Sequence, residues 1–446
     1  MAGHRLTGVR AISTLADLGA AGFAAGVIAR RRRVVGLLER TQADRAAVRR
    51  MRRLRREFGS GPVELVLPGR RVVVIVDPAD VERVLEQAPT PFHPANLEKR
   101  AALRQFQPHG VLISEGKMRT ERRAVNEAAL DTGAPLHHLA EPFTAAISDE
   151  AESLLETAWR RGHLDAEQFT IAWWRLVRRL VLGAAARDDD EITDQLWRLR
   201  SAANWSFLAP QRRKRRDEFA GALYRYAESA EPETLLGALT SIPASGAADP
   251  VGQVPHWLFA FDAAGMALSR TLALLATHPE QRARAVAEAR EPTATLPYAR
   301  ACVLESVRLW PTTPLILRDT TEDTVWGSGT EQFTIDRGAA LLVAAVAFHR
   351  DDQLLPFAHE FAPDIWLDGR AAQYPQLVPF SAGPAVCPGR DLVLFVTSTL
   401  LAELLRASTF ELRSEPTLDP GAPLPFTFNN FGVDFTTTRA RELHLL

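Results

Sequence analysis

The chain contains little cysteine, and this scarcity limits how the fold can be stabilised. Only Cys302 and Cys387 occur among 446 residues, far apart and in segments of different character. Two such cysteines do not make a disulfide framework, and a reducing cytoplasm is the simplest compartment for them. The sequence also lacks a CxxC pair, a phosphate-binding loop, internal repeats and flavin or iron–sulfur segments. We therefore expect a cytoplasmic protein that contains no electron-transfer domain of its own.

Excess charge is also absent, since the formal net charge is −1 and 46% of the residues are hydrophobic. This balance is typical of a globular protein with a large core and gives no reason to expect a nucleic-acid partner. The charge is nevertheless uneven, because residues 1–58 hold 14 arginines against 4 acidic residues. We expect residues 1–58 to form a basic, helical lead-in. Its arginines either line a solvated helix face or contact a membrane surface or an acidic partner.

No segment has the composition of a good membrane span. Residues 11–29 have about the right length and precede a run of arginines. They are, however, mostly alanine and glycine, include Asp17, and show no cleavage pattern behind a basic start. We expect a docking or interfacial helix here, with membrane contact that is at most peripheral.

Helical periodicity dominates the rest of the chain, and short strand patterns are few. The sequence predicts a mainly α fold with a small β portion, an α+β arrangement. Four of the five tryptophans in the amphipathic region 141–237 fit either core packing or the wall of a pocket: Trp173, Trp174, Trp197 and Trp205. The predicted strands cover residues 63–67, 72–76, 315–317, 332–335 and 340–345, with a terminal hairpin after 411; the main predicted helices cover 78–87, 255–277, 296–310 and 390–406.

A glycine-flanked cysteine near the C-terminus is the most informative feature. Residues 380–390 read Phe-Ser-Ala-Gly-Pro-Ala-Val-Cys-Pro-Gly-Arg, and the apolar helical pattern of 390–406 follows. Cys387 should therefore lie just before a helix N-terminus, where unpaired amides and the helix dipole favour a thiolate. Such a thiolate is a metal ligand. The alternative is a buried structural cysteine in a glycine loop.

This spacing, FxxGxxxCxG, resembles the heme-binding loop of the cytochrome P-450 superfamily. The family also has an ExxR motif on an upstream helix, and Glu305-Ser306-Val307-Arg308 lies about eighty residues before the cysteine. The resemblance covers nearly the whole chain. It implies a cytochrome P-450-type fold with a long central helix over the heme, and one heme-thiolate oxygenase domain over residues 59–446.

The resemblance also implies the residues that hold the cofactor. Cys387 would be the axial ligand of a heme b iron, with Phe380 packed over the sulfur. Gly383 and Gly389 match the glycines of the loop. The other matched positions are two arginines that would contact the heme propionates, Arg122 and Arg318, and two positions where the family's usual donors are replaced, Met118 and Ala385; His93 and His349 are possible substitutes.

Glu305 and Arg308 are implied to pair behind the heme, usually together with an arginine from a downstream segment. Ile365 stands where that arginine normally lies. Because a half-paired buried Arg308 would be costly, we expect another partner, for which Arg370 and His349 are candidates.

The central helix departs from the family at its acid–alcohol pair, which falls on Asp262 and Ala263. The acid is kept and the hydroxyl is lost. Either a substrate hydroxyl or a water chain reaching Asp262 replaces it, or the oxidant is peroxide. Asp262 could alternatively be an acid that caps or kinks the helix.

By resemblance the substrate pocket is mainly apolar, which indicates a hydrophobic or aromatic small molecule. The function implied is a monooxygenase that receives electrons from a ferredoxin and a ferredoxin reductase. A peroxide-driven oxygenase is the alternative in chemistry, and a non-catalytic heme-fold partner protein is the alternative of another class. The pocket residues expected are Phe92, Leu258, Phe261, Ala264, Leu315, Ile316 and Phe428.

Overall fold

The computed structural model describes residues 4–291, 293–329 and 332–440. Helices form most of it, in agreement with the predicted fold class. They are α1 (Gly8–Ala25), α2 (Arg32–Thr41), α3 (Arg45–Phe58), α4 (Pro78–Glu86), α5 (Leu97–Leu103), α6 (Gly116–Ala129), α7 (Ala140–Arg161), α8 (Ala166–Leu182), α9 (Asp190–Ala203), α10 (Arg213–Glu228), α11 (Leu235–Thr240), α12 (Val254–Thr277), α13 (Pro279–Arg290), α14 (Pro297–Leu309), α15 (Ala345–Phe348) and α16 (Arg390–Ala407).

The β portion consists of three small sheets. The largest has the strand order β1-β2-β3-β9-β6-β4, the second β10-β11-β5, and the third pairs β7 with β8. The strands are β1 (Arg5–Leu6), β2 (Val63–Leu67), β3 (Arg70–Ile75), β4 (Phe92–His93), β5 (His163–Asp165), β6 (Ile316–Thr320), β7 (Thr324–Trp326), β8 (Phe333–Ile335), β9 (Ala340–Val343), β10 (Ser408–Leu412) and β11 (Asp434–Arg439).

Local sequence signals account for the first hairpin and the helix after it. Strands β2 and β3 pair antiparallel with Leu67 opposite Arg70, so that Pro68 and Gly69 make the turn. Helix α4 begins where Asp77 accepts a 2.8 Å hydrogen bond from the amide of Ala79. An acceptor at the N-cap satisfies one of the amides left unpaired at a helix start.

The region between α4 and α6 contains short regular elements. Residues 89–109, which are rich in phenylalanine and proline, include the edge strand β4 and the helix α5. Asn96 caps α5 by accepting a hydrogen bond from the amide of Lys99 at 3.0 Å. The predicted strand at 340–345 also ends early, because α15 starts at Ala345.

The described part of the basic segment, residues 4–58, packs on the large sheet. Strand β1 pairs parallel with β2, and Met51 and Leu54 of α3 are buried in the sheet's apolar cluster. Some of its arginines have acidic partners, such as Arg50 with Asp17 at 2.5 Å and Arg55 with the buried Asp351. Neither helix α1 nor α3 is therefore a detached, fully solvated element.

The helical core is built around α12, which packs against α8, α14 and α16. Among the described residues, Val251–Thr277 is the one segment long and apolar enough to cross a membrane, and 72% of its apolar stretch is buried inside the protein. Of the four tryptophans, Trp173 is buried in the core, whereas Trp197 and Trp205 are about half exposed.

Candidate functional site

The loop before α16 is closed by its own backbone. The amide of Cys387 donates a 3.0 Å hydrogen bond to the carbonyl of Phe380. Gly383 has φ +63°, and a Cβ there would lie 2.2 Å from the carbonyl oxygen of Leu85 at the end of α4. Only glycine tolerates both conditions. The loop is thus seated against α4, with Cys387 only partly buried at the start of α16.

Opposing influences act on the pKa of the Cys387 thiol. Burial of the sulfur raises this pKa, although a hydrogen bond from the Gly389 amide and the charge of Arg123 act in the opposite direction. Desolvation is the largest of these influences on the free thiol, and the preference of the helix end for a thiolate stays a prediction. A metal cation bonded to the sulfur would supply the missing stabilisation.

Glu305 and Arg308 form a fully buried pair on α14. Arg308 donates from Nε to Glu305 Oε2 at 2.8 Å and from Nη2 to Oε1 at 2.5 Å. The remaining guanidinium donors bind backbone carbonyls, including those of His349 at 3.0 Å and Glu360 at 2.7 Å. Such complete satisfaction is what a buried ion pair requires.

The third partner of this pair is Trp366, which the sequence analysis missed. Its indole Nε1 donates to Glu305 Oε2 at 2.9 Å, and the amide of Ala362 donates to Oε1 at 2.9 Å. Neither predicted substitute takes this role. Arg370 pairs with Asp368 at the surface, and His349 contributes only its backbone carbonyl.

A group of buried cations lies beside the cysteine loop. Arg318 donates from Nη2 to Ser381 Oγ at 3.2 Å, while its buried Nε has no hydrogen-bond partner in the described part of the chain. Burial and the neighbouring Arg119 lower the pKa of Arg318 to about 10. Burial, with Arg318 and Arg119, lowers the pKa of Lys99 well below its usual value.

His93 belongs to the same group. Burial, followed by the charge of Arg119, lowers the pKa of its imidazole to about 4. Nδ1 accepts a hydrogen bond from the Ala95 amide at 3.1 Å, which leaves the proton on Nε2. Among the described residues, no carboxylate lies within 4 Å of Arg318 or Arg119. Cations buried without an anion are costly, so the group fits a cofactor that brings negative charge.

Arg122, predicted to contact the same anion, is engaged elsewhere. It donates to Ser114 Oγ at 2.8 Å and to the carbonyls of Ala247 and Ala248 at 3.2 and 3.1 Å. In the structure it therefore ties α6 to the loop before α12. The preceding turn of α6 places Arg119, which the sequence analysis missed, in the cationic group.

Met118 and Ala385, the positions where the family's usual donors are lost, offer no side-chain polar atom here either. His349, a possible substitute, is fully buried; its Nε2 accepts the amide of Val378 at 3.0 Å. Its buried Nδ1 has no hydrogen-bond partner among the described residues.

Helix α12 directs Asp262 and Ala263 to different surroundings. Ala267 belongs to an apolar cluster that also contains Leu394 of α16 and Phe380 of the cysteine loop. Ala263, one turn earlier, shares that face, whereas Asp262 lies about 140° around the helix from Ala267. Asp262 instead pairs with Arg200 of α9 at 2.5 Å.

Most of the predicted pocket residues are core residues in the structure. Leu258, Phe261 and Ala264 are buried in the helical core, and Phe261 accepts a 2.9 Å hydrogen bond from Trp173 through its carbonyl. The remaining positions pack as follows: Phe92 and Ile316 in the sheet cluster, Leu315 against Gly19 of α1, and Phe428 stacked 4.8 Å from Trp310.

The loop and the cationic group together fit a heme. The sulfur offers a single soft ligand on a backbone-braced loop, and the orphan Nε of Arg318 requires an acceptor. In a bound heme, the Cys387 sulfur would hold the iron, and Arg318 would bind a propionate carboxylate. The residues present therefore match the cofactor that the sequence resemblance implied.

Comparison with known proteins agrees with this assignment. Residues 259–428 match the family model described as "Cytochrome P-450". The chain is 38% identical over 116 residues to cytochrome P-450 4g15 of Drosophila melanogaster, covering 26% of this chain and 20% of that protein. It is 34% identical over 155 residues to cyclooctat-9-en-7-ol 5-monooxygenase of Streptomyces melanosporofaciens, covering 32% of each. These matches span less than half of either relative.

The fold is similar over most of the chain. A crystal structure of a cytochrome P-450 (CYP102L1) superposes with a TM-score of 0.71 at 18% sequence identity, covering 89% of this chain and 94% of the other. The fold, the family match around the cysteine loop and the ExxR pair concur. Residues 259–428, which hold α12, the Glu305–Arg308 pair and the cysteine loop, thus match the cytochrome P-450 superfamily, a family of heme-thiolate proteins, and the chain has the fold of a cytochrome P-450.

Proposed function

We propose that this protein is a heme-thiolate monooxygenase that inserts one atom of dioxygen into an apolar organic substrate. The observation that carries the proposal is the partly buried Cys387 on a braced loop beside cations without an anion. A bound heme supplies the iron at which dioxygen is reduced and its O–O bond is cleaved, and a thiolate ligand favours that cleavage. The protein's residues hold, orient and shield the cofactor.

Heme b suits the site because it carries two propionates. Arg318 and Arg119 would bind them, with Lys99 and His93 as further donors. An anion at this position would offset the burial cost of all four groups and raise the pKa of Lys99 again. Phe380 would pack over the sulfur and limit access of water to it.

The Glu305–Arg308 pair supports the cysteine loop from behind. Its hydrogen bonds join α14 to the segment 357–366, which leads toward the loop. A rigid support of this kind holds a metal ligand at a fixed distance from the cofactor.

Asp262 would act in proton supply rather than by touching oxygen. Its carboxylate is held by Arg200 on the side of α12 that faces away from Phe380. To move a proton toward the heme it must leave Arg200 or pass the proton through water. Ala263, on the heme-facing side, offers no hydroxyl, so a water molecule or a substrate hydroxyl would take that place.

Electrons would come from a separate redox protein, and a ferredoxin with its reductase is the proposed source. Arg390 is exposed at the start of α16, directly after the cysteine loop, and such a cation attracts an acidic partner. The experiment is turnover of the heme-loaded protein with a ferredoxin, its reductase and isotopically labelled dioxygen across an apolar substrate panel. Label in the product supports the proposal. Good reduction of the heme without any oxidised product supports the non-catalytic alternative.

The peroxide-driven oxygenase remains a second proposal because of Ala263. The test uses the same substrate panel, with hydrogen peroxide in place of the ferredoxin and dioxygen. Strong turnover with peroxide and weak turnover with the electron-transfer proteins would select it.

A further inference from the structure

A cavity of about 940 Å³ lies on the opposite side of α12 from the cysteine loop. Asp262, Gly265, Met266 and Ser269 of α12 form its floor. These positions recur at helical spacing on one face, whereas Ala267, which belongs to the apolar cluster that Phe380 packs against, lies on another face of the helix. The helix therefore separates this cavity from the proposed heme site. Its volume is that of a small-molecule site.

The chain at the mouth of the cavity is fixed by α9. Asn204 accepts the amide of Ile28 at 2.9 Å and donates to the carbonyl of Ala29 at 2.8 Å. Arg200 donates to the carbonyl of Ile28 at 2.8 Å. These contacts hold the link between α1 and α2 in place, and the arginine run 30–33 follows it directly into the cavity wall.

The wall carries an excess of positive charge. Six arginines and three aspartates line it, which leaves a net charge of about +3. Each aspartate has its own arginine partner: Arg178 with Asp190 at 2.8 Å, Arg200 with Asp262 at 2.5 Å, and Arg198 with Asp194 at 3.8 Å.

By contrast, Arg31, Arg32 and Arg33 have no carboxylate within 4 Å among the residues described. The buried Nη2 of Arg31 has no hydrogen-bond partner in the described chain. A buried, unpartnered guanidinium nitrogen calls for an acceptor from outside the chain.

Aromatic rings complete the wall. The guanidinium of Arg31 lies 4.8 Å from the ring centroid of Trp205, and that of Arg32 lies 5.5 Å from Phe431. Trp197 and Trp205 are each about half exposed. Large aromatic surfaces left partly open beside arginines are suited to a flat, apolar ring that carries an anionic group.

We propose that this Arg–Trp cavity is a second ligand site, separate from the heme, that binds an aromatic carboxylate. The carboxylate accepts paired hydrogen bonds from Arg31 and Arg32, and the ring packs against Trp197 and Trp205. The site does not depend on catalysis, because it is formed by the link between α1 and α2 and by residues of α2, α8, α9 and α12 rather than by the cysteine loop.

The test is calorimetric titration of the heme-loaded protein with 2-naphthoate and with 2-naphthamide, which share a ring system and differ in charge. Naphthoate should bind at least about tenfold more tightly, because charge-assisted hydrogen bonds are lost with the amide. Saturating imidazole on the iron should leave this affinity unchanged, and naphthoate should not shift the heme absorption band.

Variants separate the contributions of charge and ring. Arg31→Gln with Arg32→Gln should remove the preference for naphthoate, and Trp197→Ala should weaken both probes. Arg49→Gln with Arg53→Gln removes the same charge from exposed positions of α3 and should change neither affinity. Equal binding of the two probes, an unchanged preference in the Arg31/Arg32 variant, or competition with imidazole would each overturn the proposal.

Discussion

The indole Nε1 of Trp366 donates a 2.9 Å hydrogen bond to Glu305 Oε2, inside the fully buried pair of Glu305 with Arg308. Trp366, a neutral donor, thus takes the role that the resemblance implied for a second arginine. Three donors from two directions now surround this carboxylate: the guanidinium, the indole and the amide of Ala362. One buried guanidinium and one buried carboxylate balance each other, so the network needs no further charge.

The hydrogen bond from Trp366 should therefore be worth more than one to a neutral acceptor. We expect Trp366→Phe to lower the free energy of unfolding by about 1.5 to 3 kcal/mol, the usual value for a bond to a charged group. Trp326→Phe is the control, because its indole donates to the neutral Thr324 Oγ1 at 2.8 Å; Trp326 is fully buried, whereas Trp366 is partly buried. Denaturant titration of both variants measures the difference. An equal loss in the two would contradict the charged-acceptor argument.

Arg119 rather than Arg122 should retain the heme. We expect Arg119→Gln to speed heme loss about tenfold, since a charge-assisted hydrogen bond to a propionate is removed. Arg122→Gln should lower thermal stability, because it frees the 247–248 loop, and should leave the rate of heme loss unchanged. Transfer of heme to an apo-acceptor protein measures that rate. Faster heme loss in Arg122→Gln than in Arg119→Gln would show that Arg122, and not Arg119, retains the heme.

The missing hydroxyl at Ala263 should affect how efficiently reductant is used. If water or substrate now supplies that hydroxyl, Ala263→Thr should raise the fraction of reductant that ends in product and reduce peroxide release. Ala260→Thr, one turn earlier on the same face of α12, is the control for simple crowding. The fractions of reductant that end in product and in peroxide are calculated from the measured amounts of reductant consumed, product formed and peroxide released. No change in either fraction for Ala263→Thr would count against the proposed replacement.

His349 should make the protein less stable in mild acid. Burial, with the charge of Arg308, lowers the pKa of His349 to about 3, against about 6.5 in an unfolded chain. The unfolded state therefore binds the extra proton first, and stability falls as the pH drops below 6.5. The slope is about 1.4 kcal/mol per pH unit, or about 2 kcal/mol at pH 5.

The variant His349→Gln isolates this contribution, because its amide oxygen can still accept the hydrogen bond from Val378. We expect the stability advantage of the native protein over the variant to shrink by about 2 kcal/mol between pH 7 and pH 5. Denaturant titrations at both pH values measure the gap. A constant gap would mean that His349 binds its proton with the same pKa in the folded and unfolded states.

Features that depend on neighbours in sequence were predictable. The cap at Asp77, the hairpin of β2 and β3, the start of α16 at Arg390 and the facing of Glu305 and Arg308 all follow from spacing within a few residues. Each is set by backbone geometry or helical periodicity that the sequence displays directly.

Features that depend on packing between distant segments were not predictable. Nothing local indicates that Trp366 reaches Glu305, or that Arg119 rather than Arg122 joins Arg318. The pKa of Cys387 follows burial, which the tertiary fold determines. The Arg–Trp cavity arises because the arginine run 30–33 is held beside α9, more than 150 residues away.

The most direct test of the account is the absorption difference spectrum of the reduced, carbon-monoxide-treated protein. Ligation by the Cys387 thiolate predicts the long-wavelength band typical of a thiolate-bound heme, and its loss in Cys387→Ser with the fold intact by circular dichroism. A protein that binds no heme, or a Cys387→Ser variant with an unchanged band, would contradict the central claim.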